Sequence, residues 1–185
     1  DYVNQDAFFK FIERLKLCND DVIISDLRVV NSRGEVKIDP GVLDKGVNPF
    51  EQLLDGKHYD FSENVSTRVF GLSSLTIKTE LLKKNNVRIT ENCFYVDVEF
   101  IIWCIFLADS YTYFSYPVYM YRKDENGNNS VSKKNMIKNV AMQEKVALKL
   151  CELCEMFQLK CKNIVKLEMI INRIYISLGA TYRTY

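Results

Sequence analysis

The stretch Glu91–Tyr121, ENCFYVDVEFIIWCIFLADSYTYFSYPVYMY, decides how this chain is read. Its middle, Phe100 to Ala108, is almost wholly apolar, so the element it forms is buried on nearly every side. That run is far shorter than the roughly 20 residues a membrane helix needs, which predicts a core helix from about Val98 to Ala108. Two carboxylates, Asp97 and Glu99, stand at its start, with the aromatic pair Phe94 and Tyr95 ahead of them. The tyrosine-rich segment Tyr111–Tyr121 alternates loosely and reads as a strand, part of it edge or irregular because Pro117 cannot donate to a ladder. An acid pair at the mouth of a buried helix points to a site at the edge of a core. The competing reading makes Asp97 the helix N-cap and Glu99 a first-turn acid favoured by the helix dipole.

Outward from that stretch the periodicities alternate. Asn4 to Asp20 places Ala7, Phe8, Phe11, Ile12, Leu15 and Cys18 on one helical stripe, with Asn4 or Asp6 as cap. Asp21–Val30 is rich in β-branched residues and reads as a strand. Asn31-Ser-Arg-Gly34 supplies a turn, and Glu35–Ile38 the returning strand of a hairpin. Asp39 to Asn48 is a loop, followed by a short helix over Pro49–Leu54. Phe61–Leu75 is ambiguous between a short strand and a packed loop, and Lys78–Asn85 is a short helix. Past a loop at Asp124–Asn129, Met136–Gln158 carries Val140, Ala147, Leu150, Cys151, Cys154 and Phe157 at helical spacing. Ile164–Leu178 repeats the pattern, so the two are expected to pair as an antiparallel hairpin. The order suits an α+β fold: a mixed sheet with packed helices and a C-terminal helical hairpin.

The totals narrow the function classes. Twenty-five basic against 24 acidic residues leave a net charge of +1, which gives no electrostatic reason to expect a nucleic-acid partner. Six cysteines sit in a chain large enough to build its own core, so they are read as reduced thiols, which points to the cytoplasm. Cys151-x-x-Cys154 with Cys161 lacks a fourth zinc ligand, and the only histidine, His58, is remote in sequence. The chain opens on Asp1 rather than methionine, so it is expected to be a piece of a longer protein.

The central stretch resembles a segment of bacterial family 2 glycosyltransferases, inverting enzymes of the GT-A fold. The matching residues are Tyr95-Val-Asp-Val-Glu-Phe100, then Tyr119-Met-Tyr-Arg122, then Ser130-Val-Ser132. Upstream, Asp21–Asp26 with Val29, Val30 and Gly34 is similar to the strand pair after the family's metal motif, and Thr76–Leu82 to the helix before its acid motif. Asp1-Tyr2-Val3 is similar to the tail of the family's Asp-x-Asp-Asp-Tyr run. The resemblance covers about residues 1–132. It implies a truncated GT-A-like mixed sheet: residues 1–132 as the acceptor-side part, with the nucleotide-binding half missing, and 133–185 as a C-terminal helical extension.

The resemblance also implies the chemistry. Asp97 would be the catalytic base, and Asp1 and Arg122 donor-binding residues. Tyr95 and Glu99 would face the acceptor, and Ser130 and Ser132 either help hold the diphosphate or belong to a turn. The partners would be a nucleotide-sugar donor and a saccharide or lipid-linked acceptor, as in cell-surface polysaccharide biosynthesis. A divalent metal, manganese or magnesium, is expected in the full-length enzyme and none in this piece. Val96 stands where the family usually has glutamate, which alters whatever that acid does for donor or acceptor hydroxyls. The different-class alternative is a non-catalytic protein-interaction domain. In either case the C-terminal helices pack on the domain, form a homodimer, or rest peripherally on a membrane. Their mixed Lys and Glu faces make the membrane version the weaker one.

Overall fold

The structure is a computed structural model, and it describes residues 1–37, 49–61, 70–122 and 132–183. The described residues form two compact units. Residues 1–37, 49–60, 70–78 and 109–122 make a sheet unit, and residues 61, 79–108 and 132–183 a helical unit. Mixed sheet and helices together give the expected α+β class.

Two long strands carry the sheet. β2 (Val22–Val30) and β6 (Ser110–Arg122) run parallel, from Val22 opposite Tyr111 to Val30 opposite Arg122. β2 is buried along most of its length, which its β-branched run allows because parallel pairs are usually covered on both faces. Each long strand has two short antiparallel partners on its outer edge. β2 takes β5 (Leu75–Ile77) and β3 (Val36–Lys37), while β6 takes β4 (His58–Asp60) and β1 (Tyr2–Val3). β6 is thus flanked on both sides at its two ends, while its middle, around Pro117, pairs with β2 alone and is the edge-like, irregular part expected. The ring is accommodated at a break in the ladder: Pro117 pairs Asp26 where the register shifts on both sides, so no regular donor is demanded of it.

The hairpin forms where its turn chemistry put it. Gly34 has φ +81°, and Asn31 Oδ1 accepts from the Arg33 and Glu35 amides, both at 2.9 Å. α1 (Gln5–Leu15) takes Asn4 as its cap, whose Oδ1 accepts from the Ala7 amide at 3.1 Å. Its inner residue Phe11 meets Ile23 and Phe114, with Ile12, Leu15 and Cys18 packed around them, whereas Phe8 is exposed. Pro49–Gln52 is a 3-10 turn rather than a full helix. The expected loops at 39–48 and 124–129 lie outside the described residues, as do Val65, Val69 and Ser130.

In the helical unit, α2 (Thr79–Lys84) ends at Asn86 in the left-handed region. α3 (Asp97–Leu107) buries Ile101, Ile102, Cys104 and Ile105, so the apolar run is the core helix expected. The next segment is two helices where one was expected: α4 (Lys133–Lys138), capped by Ser132, and α5 (Val140–Lys160), with Asn139 between them. The buried side of α5 is Gln143, Val146, Leu150, Leu153 and Phe157, while Cys151 is exposed. Apolar residues lie on more than one side of this helix, and packing selected a stripe partly different from the one spacing suggested. α6 (Ile164–Tyr182), capped by Asn163, packs against both α5 and α3. All six cysteines are free, and no helix among the described residues is long and apolar enough to cross a membrane.

Candidate functional site

The segment before α3 is held in a particular conformation. Asn92 and Tyr95 both have positive φ, +54° and +69°. For an aromatic residue that is an outlier, costing of order 1–3 kcal/mol unless its surroundings compel it. One anchor is Glu99, fully buried, whose Oε2 accepts from the Thr90 amide at 3.0 Å. The other oxygen, Oε1, is buried and has no partner among the described residues.

Asp97 is the first residue of α3, and the N-cap position falls to Val96, which has no side-chain acceptor. Asp97 is thus not the cap. Its carboxylate is exposed, and among the described residues no group donates a hydrogen bond to it. Beside it lies a cavity of about 270 Å³ whose wall includes Tyr95, Asp97, Gln143, Arg173, Ser177 and Thr181. Tyr95 and Asp97 are therefore brought together on one cavity, and Glu99 is not among its lining residues.

The other wall comes from α5 and α6, which sequence reasoning did not include in the site. Gln143 is buried and donates from Nε2 to the Met136 carbonyl at 2.8 Å. Arg173 is half-buried, and among the described residues it has neither a hydrogen bond nor an ion pair. Burial pulls its pKa below the ordinary arginine value, with the nearby Asp97 charge opposing that fall. A signal was available: Arg173 is the single charged residue between Glu168 and Arg183.

Asp1 and Arg122 meet in the sheet unit. The Arg122 amide donates to Asp1 Oδ1 and the Tyr119 hydroxyl to Oδ2, each at 2.7 Å, where β1 pairs with β6. The Arg122 guanidinium lies 5.9 Å from the centre of the Tyr2 ring. Both Asp1 oxygens are engaged, and among the described residues no group of three His, Cys, Asp or Glu side chains could hold a metal ion.

The same unit has a polar cavity of about 400 Å³ lined by residues including Arg14, Asp20, His58 and Thr112. Asp20 lies 2.6 Å from His58 Nδ1 and accepts from the Thr112 hydroxyl. Burial works against its charge, but bonds from Thr112, Ser110 and His58 hold it below the usual carboxylate range. Compared with known proteins, the chain matches no protein-family model and no curated protein.

Proposed function

We propose that this chain carries the acceptor-binding, base-bearing part of an inverting, GT-A-like glycosyltransferase that moves a sugar from a nucleotide-sugar donor to a saccharide or lipid-linked acceptor. The observation that carries this reading is the state of Asp97. It is an exposed carboxylate with no amide bound to it, at the start of a helix anchored by a buried face and on the wall of a cavity. A general base must reach its proton with a free lone pair, and burial of Ile101, Ile102 and Ile105 fixes the helix that presents it.

In the proposed step the acceptor hydroxyl gives its proton to Asp97 while its oxygen attacks the anomeric carbon. The bond from that carbon to the nucleoside diphosphate breaks on the opposite face, and the diphosphate leaves with the electron pair. For the donor side, the resemblance alone makes Arg122, with its planar guanidinium, a candidate.

The test is nucleotide release from a panel of nucleotide sugars by a protein containing this chain, with manganese supplied. Asp97→Asn is expected to lower turnover roughly 10²–10⁴-fold, the usual contribution of a general base, with an unchanged far-UV spectrum. Unchanged turnover would remove Asp97 from the mechanism. A second reading, a non-catalytic interaction module, is favoured by α6: Ile164, Ile171, Tyr175 and Tyr182 lie on one side of that helix and are exposed.

A further inference from the structure

The cavity beside Asp97 has two charged residues in its wall, Asp97 and Arg173, and they do not pair. No ion pair within 4.0 Å joins them, and no described acceptor lies within hydrogen-bond reach of Arg173. A guanidinium has five donors in a rigid fork, and drawing it out of water without an acceptor is unfavourable. An arginine half-buried in a cavity wall with its fork unclaimed has the chemistry of an anion receptor, because carboxylate and phosphate oxygens match that fork two at a time.

We infer that Arg173 receives an anionic substituent of the acceptor, so that the cavity takes a single sugar ring bearing a carboxylate or a phosphate, with a hydroxyl turned toward Asp97. This deepens the glycosyltransferase reading and rests on it for the sugar. The anion site itself rests on Arg173 and the cavity alone. At about 270 Å³ the space lies near the lower end of ligand pockets, which run from roughly 300 to 1,000 Å³, and suits one ring rather than an extended chain. Ser177 and Thr181, one turn apart on α6, add hydroxyls to the same wall, and Val98 and Ile176 add apolar surface for a ring face. The opposed charges set the orientation. An anion at Arg173 is kept from Asp97 by like-charge repulsion, which leaves the neutral hydroxyl end to approach the carboxylate.

The experiment is calorimetry on this chain with glucuronate, glucose 6-phosphate, inorganic phosphate and glucose. It is paired with NMR of the arginine Nε–Hε signals, assigned to Arg173 by their loss in Arg173→Lys. Glucuronate or glucose 6-phosphate is expected to bind at least tenfold tighter than glucose and to shift the Arg173 signal. Which of the two wins distinguishes a carboxylate from a phosphate. Arg173→Gln is expected to abolish that preference, and Arg173→Lys to weaken it while keeping the fold. Asp97→Asn is expected to bind the anionic sugar at least as tightly as wild type, since it removes a like charge.

Equal affinity for glucose and the anionic sugars, or an unmoved Arg173 signal at saturation, would overturn the inference. So would inorganic phosphate binding as tightly as glucose 6-phosphate, because the ring would then contribute nothing. Anion binding at Arg173 together with unchanged turnover in Asp97→Asn would uphold the anion site and remove the base. Loss of turnover in Asp97→Asn with no preference for anionic sugars would do the reverse.

Discussion

Glu99 shows how one residue's two oxygens can have different consequences. One accepts from the Thr90 amide at 3.0 Å; the other is buried and unmatched. Glu99→Gln can keep the accepted bond, so its stability is expected to stay within about 1 kcal/mol of wild type. Glu99→Leu leaves the Thr90 amide without its acceptor and is expected to cost about 1–3 kcal/mol, read from urea midpoints. Equal effects of the two would mean that the Thr90 bond does not anchor the segment before α3. Thiol chemistry offers a second check. Burial pushes the Cys104 thiol up to about 12, whereas Cys151 is exposed. Iodoacetamide on the native chain at pH 8 should label Cys151 first and spare Cys104 until the chain unfolds, as peptide mass spectrometry would show. At this scale the sequence was informative about Tyr95 and Asp97, because an acid beside a long apolar run stands out. Arg173 stood out only as a lone charge in an apolar stretch; that it shares a cavity with Tyr95 and Asp97, far away in the chain, is fixed by packing and not by local spacing.

Among the elements, two glycines separate backbone need from mere occupancy. Gly56, leading into β4, has φ +75°, and a Cβ there would lie 2.4 Å from an Arg14 side-chain nitrogen. Gly56→Ala is expected to destabilise by about 1–2 kcal/mol, the left-handed cost alone, even if Arg14 swings aside. Gly179 lies within α6 with open space where a Cβ would go, so Gly179→Ala is expected to stabilise by about 0.5–1 kcal/mol. Thermal midpoints moving in the same direction for both would contradict this contrast. Element types were legible wherever a single physical demand dominated: the β-branched run of β2, the cap at Asn4, the turn at Asn31–Gly34. They were less so where demands competed. The inward side of α5 depends on what α3 and α6 present to it, and the cover on the two ends of β6 depends on short strands from two separate parts of the chain.

For the molecule entire, acid should act first on the sheet unit. Burial alone would raise Asp20 and Asp55, yet their hydrogen bonds win. Asp20 is held down by Thr112, Ser110 and His58, and Asp55 by Ser115 and Arg14. Carboxylates depressed on folding stabilise fully above their unfolded value, near 4, and lose that contribution as pH falls through the lower folded value. Thermal midpoints between pH 6 and pH 2 are expected to drop below about pH 4, and less steeply in Asp20→Asn. An undiminished slope in that variant would show that the bonds around Asp20 carry none of the effect. The α+β class could be read from the order of elements, but the grouping of Thr79–Ala108 with the C-terminal helices could not, since it is fixed by packing across the chain. The seam between β2 and β6 has a consequence during synthesis. While the ribosome makes the intervening residues, Val22–Val30 exists without the parallel neighbour it later gains, a greasy strand with an unclaimed edge. Shortened versions ending before Ser110 would keep that edge open for good, and should collect in inclusion bodies rather than fold.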